Sequence, residues 1–276
     1  MIEPVTAPSV QAWKPPIPGV REVLHARFAD HAYPPHTHDT WTLFIVDDGR
    51  VRYDLGRHER MAERSMVSVL PPYVVHDGRP AGPGGYRKRV IYLEPEVLGE
   101  AAIGPAVDAP SLAEPRLYRD VATLHEALSC VDDSLEAETR LTFVTERIRA
   151  WFGIGEPASA AEPRADDADA LRAYLDANVF DSVTMAAASA SIGSTPTQLT
   201  RAFSGSFGIS PHAYVVGRRL DAARDRILDG ESLANVAASV GFCDQAHLTR
   251  RFKRFLGVTP GRFARGRRSK YTGAPG

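Results

Sequence analysis

Cysteine is nearly absent, with Cys130 and Cys243 the only two in 276 residues. Two thiols make no disulfide framework, which suits a reducing compartment and leaves stability to a buried core. Both read as packing or surface thiols. Long apolar runs are missing as well. The longest stretches, such as "WTLFIV" (41–46), fall far short of the ~18 residues a membrane helix requires. The opening residues "MIEPVTAPSV" have neither a basic head nor an apolar centre, so no signal peptide is expected and the cytoplasm is the expected location.

Net charge is also low, at a formal −1, but this is a cancellation. Residues 1–163 hold 17 Lys/Arg against 24 Asp/Glu, while residues 164–276 hold 16 against 10. No acidic residue follows Asp244, and nine Lys/Arg do. A basic C-terminal part on an acidic partner suggests a polyanion at one end and a different task at the other. The length suits two domains, and 43% hydrophobic with 24% charged residues is ordinary for a globular chain.

Residues 20–93 alternate short β-rich stretches with turns. "REVLHARFA" (21–29), "WTLFIV" (41–46), "RVRYDL" (50–55), "SMVSVL" (65–70) and "YRKRVIYL" (86–93) are punctuated by "DDG", "PP" and "GPGG". Many short strands at this spacing predict a small barrel or sandwich. The period then changes. Leu117, Val121, Leu124 and Leu128, then Leu135, Leu141, Val144, Ile148 and Trp151, mark two amphipathic helices joined at 130–134. The Ala/Pro/Gly-rich segment that follows reads as a linker. The expected fold class is α+β multidomain, with an N-terminal small β-barrel plus helical hairpin and a C-terminal all-α domain.

An internal repeat defines the second domain. "LTRAFSGSFGISPHAY" (199–214) aligns with "LTRRFKRFLGVTPGRF" (248–263) at an offset of 49 residues. Each copy has helix-turn-helix logic: a short helix, a left-handed glycine turn at Gly193 or Gly241, and a second helix capped by Thr195 or Asp244. If Leu248 and Phe252 are buried, Ala246, Thr249, Arg250 and Lys253 lie opposite, with Gln245 in the exposed first turn. The same rule buries Leu199 and Phe203 and exposes Thr197, Thr200, Arg201 and Ser204. Arginine can bridge guanine O6 and N7, and glutamine adenine N6 and N7. Candidate DNA contacts are therefore Thr197, Gln198 and Arg201 in one unit. In the other they are Gln245, Ala246, His247, Thr249, Arg250, Lys253 and Arg254. The tail "RGRRSK" (265–270) would add salt-sensitive affinity.

The stretch "RRLDAARDRILDGESLANVAASVGFCDQAHLTRRFKRFLGVTPGRFARGR" resembles the AraC/XylS family of bacterial transcription regulators. Its family pattern is filled by Arg219–Leu220, Ala223–Arg224, Gly241–His247, Arg250–Lys253 and Gly257–Pro260. Cys243 and Ala246 stand where the family more often has Ser, and Ser189 where it usually has Ala. The resemblance implies two helix-turn-helix units joined by a long helix at about 209–229 that enter successive major grooves of double-stranded DNA. It implies a cupin-type effector-sensing and dimerisation domain at 1–153 (barrel about 20–95, hairpin about 115–152), a linker at 154–168 and a DNA-binding domain at 169–270. A homodimer, a small-molecule effector, RNA polymerase as a partner and an activating role follow by analogy; no membrane partner and no catalysis are expected.

"PPHTHDTW" (34–41) remains. On a strand His36 and His38 would share a face, and His76 could close on them. Three histidines can hold zinc. Metal-dependent cupin enzymes, however, carry a glutamate where this chain has Thr42, and no cofactor is expected on that ground. The set can equally be an effector pocket of His36, His38, Trp41, Tyr53 and His76, or histidines satisfied by backbone partners. A metal-dependent cupin enzyme fused to a DNA-binding tail is the alternative to a regulator. His25, His31, His58, His125 and His212 form no constellation in the sequence.

Overall fold

The computed structural model of the chain describes residues 8–129, 134–155 and 164–265. Cys130, most of the helix-joining turn, residues 156–163 of the expected linker and the tail beyond Arg265 lie outside them. The chain divides into two compact units, Met1–Ala161 and Glu162–Gly276.

In the first unit the strands are β1 (Ser9–Trp13), β2 (Val20–Phe28), β3 (Tyr33–His36), β4 (Trp41–Gly49), β5 (Val51–Leu55), β6 (His58–Ala62), β7 (Val67–Leu70), β8 (His76–Pro80), β9 (Tyr86–Leu93) and β10 (Ser111–Leu112). They form a six-stranded sheet in the order β1-β2-β9-β4-β7-β10 and a four-stranded sheet in the order β3-β8-β5-β6. The result is a jelly-roll-like pair of sheets rather than a closed small barrel. Two short helices follow, α1 (Pro95–Leu98) and α2 (Ile103–Asp108), then the hairpin of α3 (Pro115–Leu128) and α4 (Ser134–Trp151).

Strand β4 explains the layering. Trp41 to Val46 are all buried because each face of the strand has its own cover. Trp41, Leu43 and Ile45 join the core beneath the helices, with Leu117, Val121, Leu124, Val144 and Ile148. Phe44 and Val46 point the other way, into the core between the sheets. A strand covered on both faces reads as a continuous apolar run, as "WTLFIV" does. The helices bury the stripes expected of them except at Trp151, which is 47% exposed.

The second unit is helical: α5 (Asp167–Ala177), α6 (Met185–Ile192), α7 (Pro196–Phe207), α8 (Pro211–Asp229), α9 (Leu233–Ser239), α10 (Gln245–Leu256) and α11 (Pro260–Arg265). Helices α6 and α7 meet at Gly193 (φ 84°), and α9 and α10 meet around Gly241 (φ 80°). Both glycines take the left-handed conformation that a Cβ disfavours. Helix α8 is the long connector between the two modules.

Candidate functional site

Each module's second helix is anchored by its apolar residues and started by a cap. Leu199 and Phe203 in α7, and Leu248 and Phe252 in α10, are fully buried. Thr195 and Gln198 form a reciprocal capping box at the start of α7, and the Asp244 side chain accepts from the His247 amide at 2.6 Å. On α10 this leaves Gln245, Ala246, Arg250, Lys253 and Arg254 exposed and Thr249 half-buried. On α7, Thr197 and Arg201 are half-buried.

Two expected contacts are spent inside the fold. Gln198 is 8% exposed, and its Oε1 accepts from both the Thr195 amide and hydroxyl at 2.9 Å. His247 is 6% exposed; its Nδ1 lies 3.1 Å from Cys243 Sγ, and its Nε2 accepts from Arg251 Nε at 3.1 Å. That bond also draws Arg251 toward the helix surface rather than to solvent. Thr200, expected to be exposed, is fully buried.

In the first unit, His36, His38 and His76 do converge. Their ring centroids are 4.6 to 5.1 Å apart, and one ligand nitrogen from each lies within 4.8 Å of the others. The route differs from simple strand alternation: β3 ends at His36, which pairs with His76 on β8, and His38 sits in the following loop. That loop is tied down where the Tyr73 amide donates to the His38 carbonyl at 2.8 Å. His36 Nδ1 donates to the Pro34 carbonyl at 2.7 Å and His76 Nδ1 to that of Val74 at 2.9 Å. The backbone bonds leave Nε2 of both rings as lone-pair donors, the way the far nitrogen of a metal-binding histidine is fixed by a carbonyl. Burial holds His76 below its usual range, and burial with the neighbouring rings takes His38 down to about 4. Three imidazoles so arranged fit a divalent transition metal. The carboxylate that lines the same cavity, Asp77, is occupied by Arg79 at 3.0 Å and the Asp54 amide at 2.7 Å.

These histidines form one end of a cavity of about 80 Å³ between the sheets, walled by Phe44, Val51, Tyr53, Leu70 and Tyr92. Tyr53 is on its wall as expected. Trp41 is not: it points to the helix-side core, and its indole N–H donates to the Pro95 carbonyl at 3.1 Å. Strand alternation gives the cavity to Thr42 and Phe44 and the opposite face to Trp41.

Two groups on this wall are not among the pocket residues expected from the sequence. Thr42 Oγ1 is buried without a hydrogen-bond partner. Lys88, opposite Val46 on β9, turns its ammonium toward the faces of Tyr33 (4.5 Å), Phe44 (5.7 Å) and Tyr86 (5.8 Å). Desolvation lowers its pKa from 10.5 to about 8. Such a fall corresponds to about 3 kcal/mol against the charged form. Ring faces return only ~0.5–2 kcal/mol. The ammonium is therefore under-compensated. The pattern that could have found it is "YRKRVIYL", in which Lys88, Val90 and Tyr92 share one face.

A cavity in one unit and two helix-turn-helix modules in the other match known families. Residues 18–143 match the model of the AraC-like ligand binding domain, and residues 188–266 match a helix-turn-helix domain. The chain belongs to the AraC family. The two matches cover about three quarters of it, and they make it a transcriptional regulator with a DNA-binding domain. Among the relatives of this AraC-family chain is the uncharacterized HTH-type transcriptional regulator YbfI of Bacillus subtilis (strain 168). It is 24% identical over 224 residues, covering 78% of this chain and 81% of the relative. The transcriptional activator NphR of a Rhodococcus species is 25% identical over 242 residues, covering 80% and 68%. A solved structure of a probable AraC family transcriptional regulator from Rhodopseudomonas palustris CGA009 is 24% identical. It covers 38% of this chain and 100% of that one, with a TM-score of 0.35. Among the described residues no helix is long and apolar enough to cross a membrane.

Proposed function

We propose that this AraC-family protein is a cytoplasmic, effector-responsive regulator that reads a specific DNA sequence with α7 and α10 in successive major grooves. The observation that carries this is the face of α10. Gln245, Ala246, Arg250 and Lys253 are exposed together, while Leu248 and Phe252 fix the helix from behind. A helix held this way can enter the ~12 Å major groove. Arg250 and Gln245 then supply base readout, and Lys253 and Arg254 meet phosphates. From α7, Thr197 and Arg201 contribute; Gln198 stays with its cap.

The cavity between the sheets is the effector site, with His36, His38, Tyr53 and His76 on its wall. An effector acts on transcription by preferring one arrangement of sensor and DNA-binding domain over another. The α3–α4 hairpin, with Phe143 (38%) and Trp151 (47%) exposed, is the dimer surface. By analogy with the activator NphR, the output is activation through RNA polymerase. No catalysis is part of this reading, and nothing among the relatives favours a metal-dependent enzyme.

The test is footprinting of the DNA flanking the gene, followed by titration of the protected fragment and a scrambled one with wild type and Arg250→Ala. Loss of base readout costs about 1–3 kcal/mol on the protected fragment and leaves the scrambled one unchanged. Equal loss on both makes Arg250 a phosphate contact and ends its role in sequence reading.

A further inference from the structure

The effector cavity contains a cation with no countercharge. Among the described residues Lys88 is the only Lys or Arg on the cavity wall, and it makes no ion pair there. The one lining carboxylate, Asp77, is engaged by Arg79 and by the Asp54 amide. His36, His38 and His76 line the same cavity and supply no negative charge. Thr42 Oγ1, buried and unpartnered, adds a second unsatisfied polar group to the same wall. Between them the surface is apolar: Phe44, Val51 and Leu70.

We propose that the cavity takes a small organic carboxylate, its anionic end on Lys88 Nζ and its apolar body against Phe44, Val51 and Leu70. This rests on the cavity being the effector site. The argument is one of compensation. A desolvated ammonium that ring faces satisfy only in part is stabilised most by an anion that brings its own charge. A cationic ligand would be repelled by Lys88, and a neutral sugar would leave the charge as it is. At about 80 Å³ the cavity is well below the ~300–1,000 Å³ of drug-sized pockets, so the carboxylate is small. A carboxylate bound there would be recognised by charge at one end and by shape at the other.

The experiment is calorimetric titration of the full chain, without DNA, in buffer containing EDTA. Acetate, butyrate and benzoate are compared with the neutral amides butyramide and benzamide. EDTA strips any metal from the three histidines, so carboxylate ligation to a metal cannot imitate the result. At least one acid is expected to bind saturably, with its amide 10-fold or more weaker. Lys88→Met and Lys88→Gln are each expected to lose at least 10-fold for that acid while melting no lower than wild type without ligand. Equal binding of acid and amide overturns the proposal, as does full affinity in a folded Lys88 variant or silence from every acid in the panel. DNA titration separates the two readings. A chain that binds its DNA site but no carboxylate removes this inference alone, whereas one that binds the acid but no specific DNA removes the regulatory reading.

Discussion

Arg219 Nη1 donates to the carbonyl oxygen of Gly241 at 2.6 Å, joining the middle of α8 to the turn of the second helix-turn-helix module. The same guanidinium donates through Nε to Val179 and through Nη2 to Asp181, both at 2.7 Å. Three loop carbonyls that no helix satisfies are thereby closed by one side chain. Gly241 is confined from the other side. A Cβ there would lie 2.8 Å from the Phe180 carbonyl oxygen and 2.9 Å from Arg219 Cζ, on top of a positive φ. The turn that aims α10 is therefore set by a glycine and an arginine 22 residues apart.

Arg219→Met should destabilise the DNA-binding unit by roughly 3 kcal/mol or more, because buried acceptors lose a charged donor. Arg219→Lys should recover only part, since a point charge cannot span a planar fork. Gly241→Ala should cost more than ~1 kcal/mol from the positive φ alone, before the contacts are counted. Denaturant melts of the full chain measure all three. A wild-type melt for Arg219→Met would remove the bracket as a structural element.

Much of this was legible in the sequence, and the exceptions have physical causes. Helix faces and turn glycines follow local periodicity and conformational preference, so α3, α4 and both modules are readable, while the long helix α8 comes from the family resemblance. Strands β6 and β8 were not, because "HERMA" and "HDGRP" lack the β-branched and aromatic residues that mark strands. Trp41 suits an apolar pocket wall by residue type, but alternation along β4 gives that face to Thr42. Gln198 carried its own warning: Thr195-x-x-Gln198 is the capping-box pattern. His247 carried none, since its contact with Cys243 depends on how the turn folds the chain back.

His125 predicts an acid limb in stability. It is 1% exposed, its Nδ1 lies 3.3 Å from His25 Nε2, and its Nε2 has no partner. Burial first, then the Arg89 charge and the His25 ring, hold its pKa well below 6.5. Above pH 6.5 native and unfolded chains are both neutral at this site, and it adds no pH dependence. Below that the unfolded chain takes up a proton that the native one refuses, so stability falls with pH. Each such group contributes up to ~1.4 kcal/mol per pH unit. His38 and His76, also depressed, act in the same direction. Urea midpoints should drop between pH 7.5 and 5, and His125→Phe should flatten the slope by up to one proton. An unchanged slope in that variant would mean His125 does not titrate in this window.

Asp244 tests whether the start of α10 matters to recognition. Its carboxylate accepts from the His247 amide and begins the helix that carries Gln245 and Ala246. Asp244→Ala should cost ~0.5–2 kcal/mol of stability, while Asp244→Asn should cost little, since Asn caps equally well. DNA affinity should follow the same order if the first turn touches bases. Asp244→Ala with full affinity for the protected fragment would place recognition further along the helix.

Lys253 and Arg254 separate charge from readout. Both are exposed in the last turn of α10, beyond the buried Phe252 and one turn or less from Arg250. A cation there that neutralises a phosphate releases a counterion, and its loss weakens binding on every sequence alike. Lys253→Ala and Arg254→Ala should each lower affinity equally for protected and scrambled DNA. The slope of log affinity against log salt should become shallower by about one for each phosphate lost. Arg250→Ala should do the reverse, with the slope nearly kept and the preference for the protected fragment lost. If Lys253→Ala instead erodes preference and keeps the slope, its ammonium reads a base edge and the reading face of α10 extends a full turn further than its arginine.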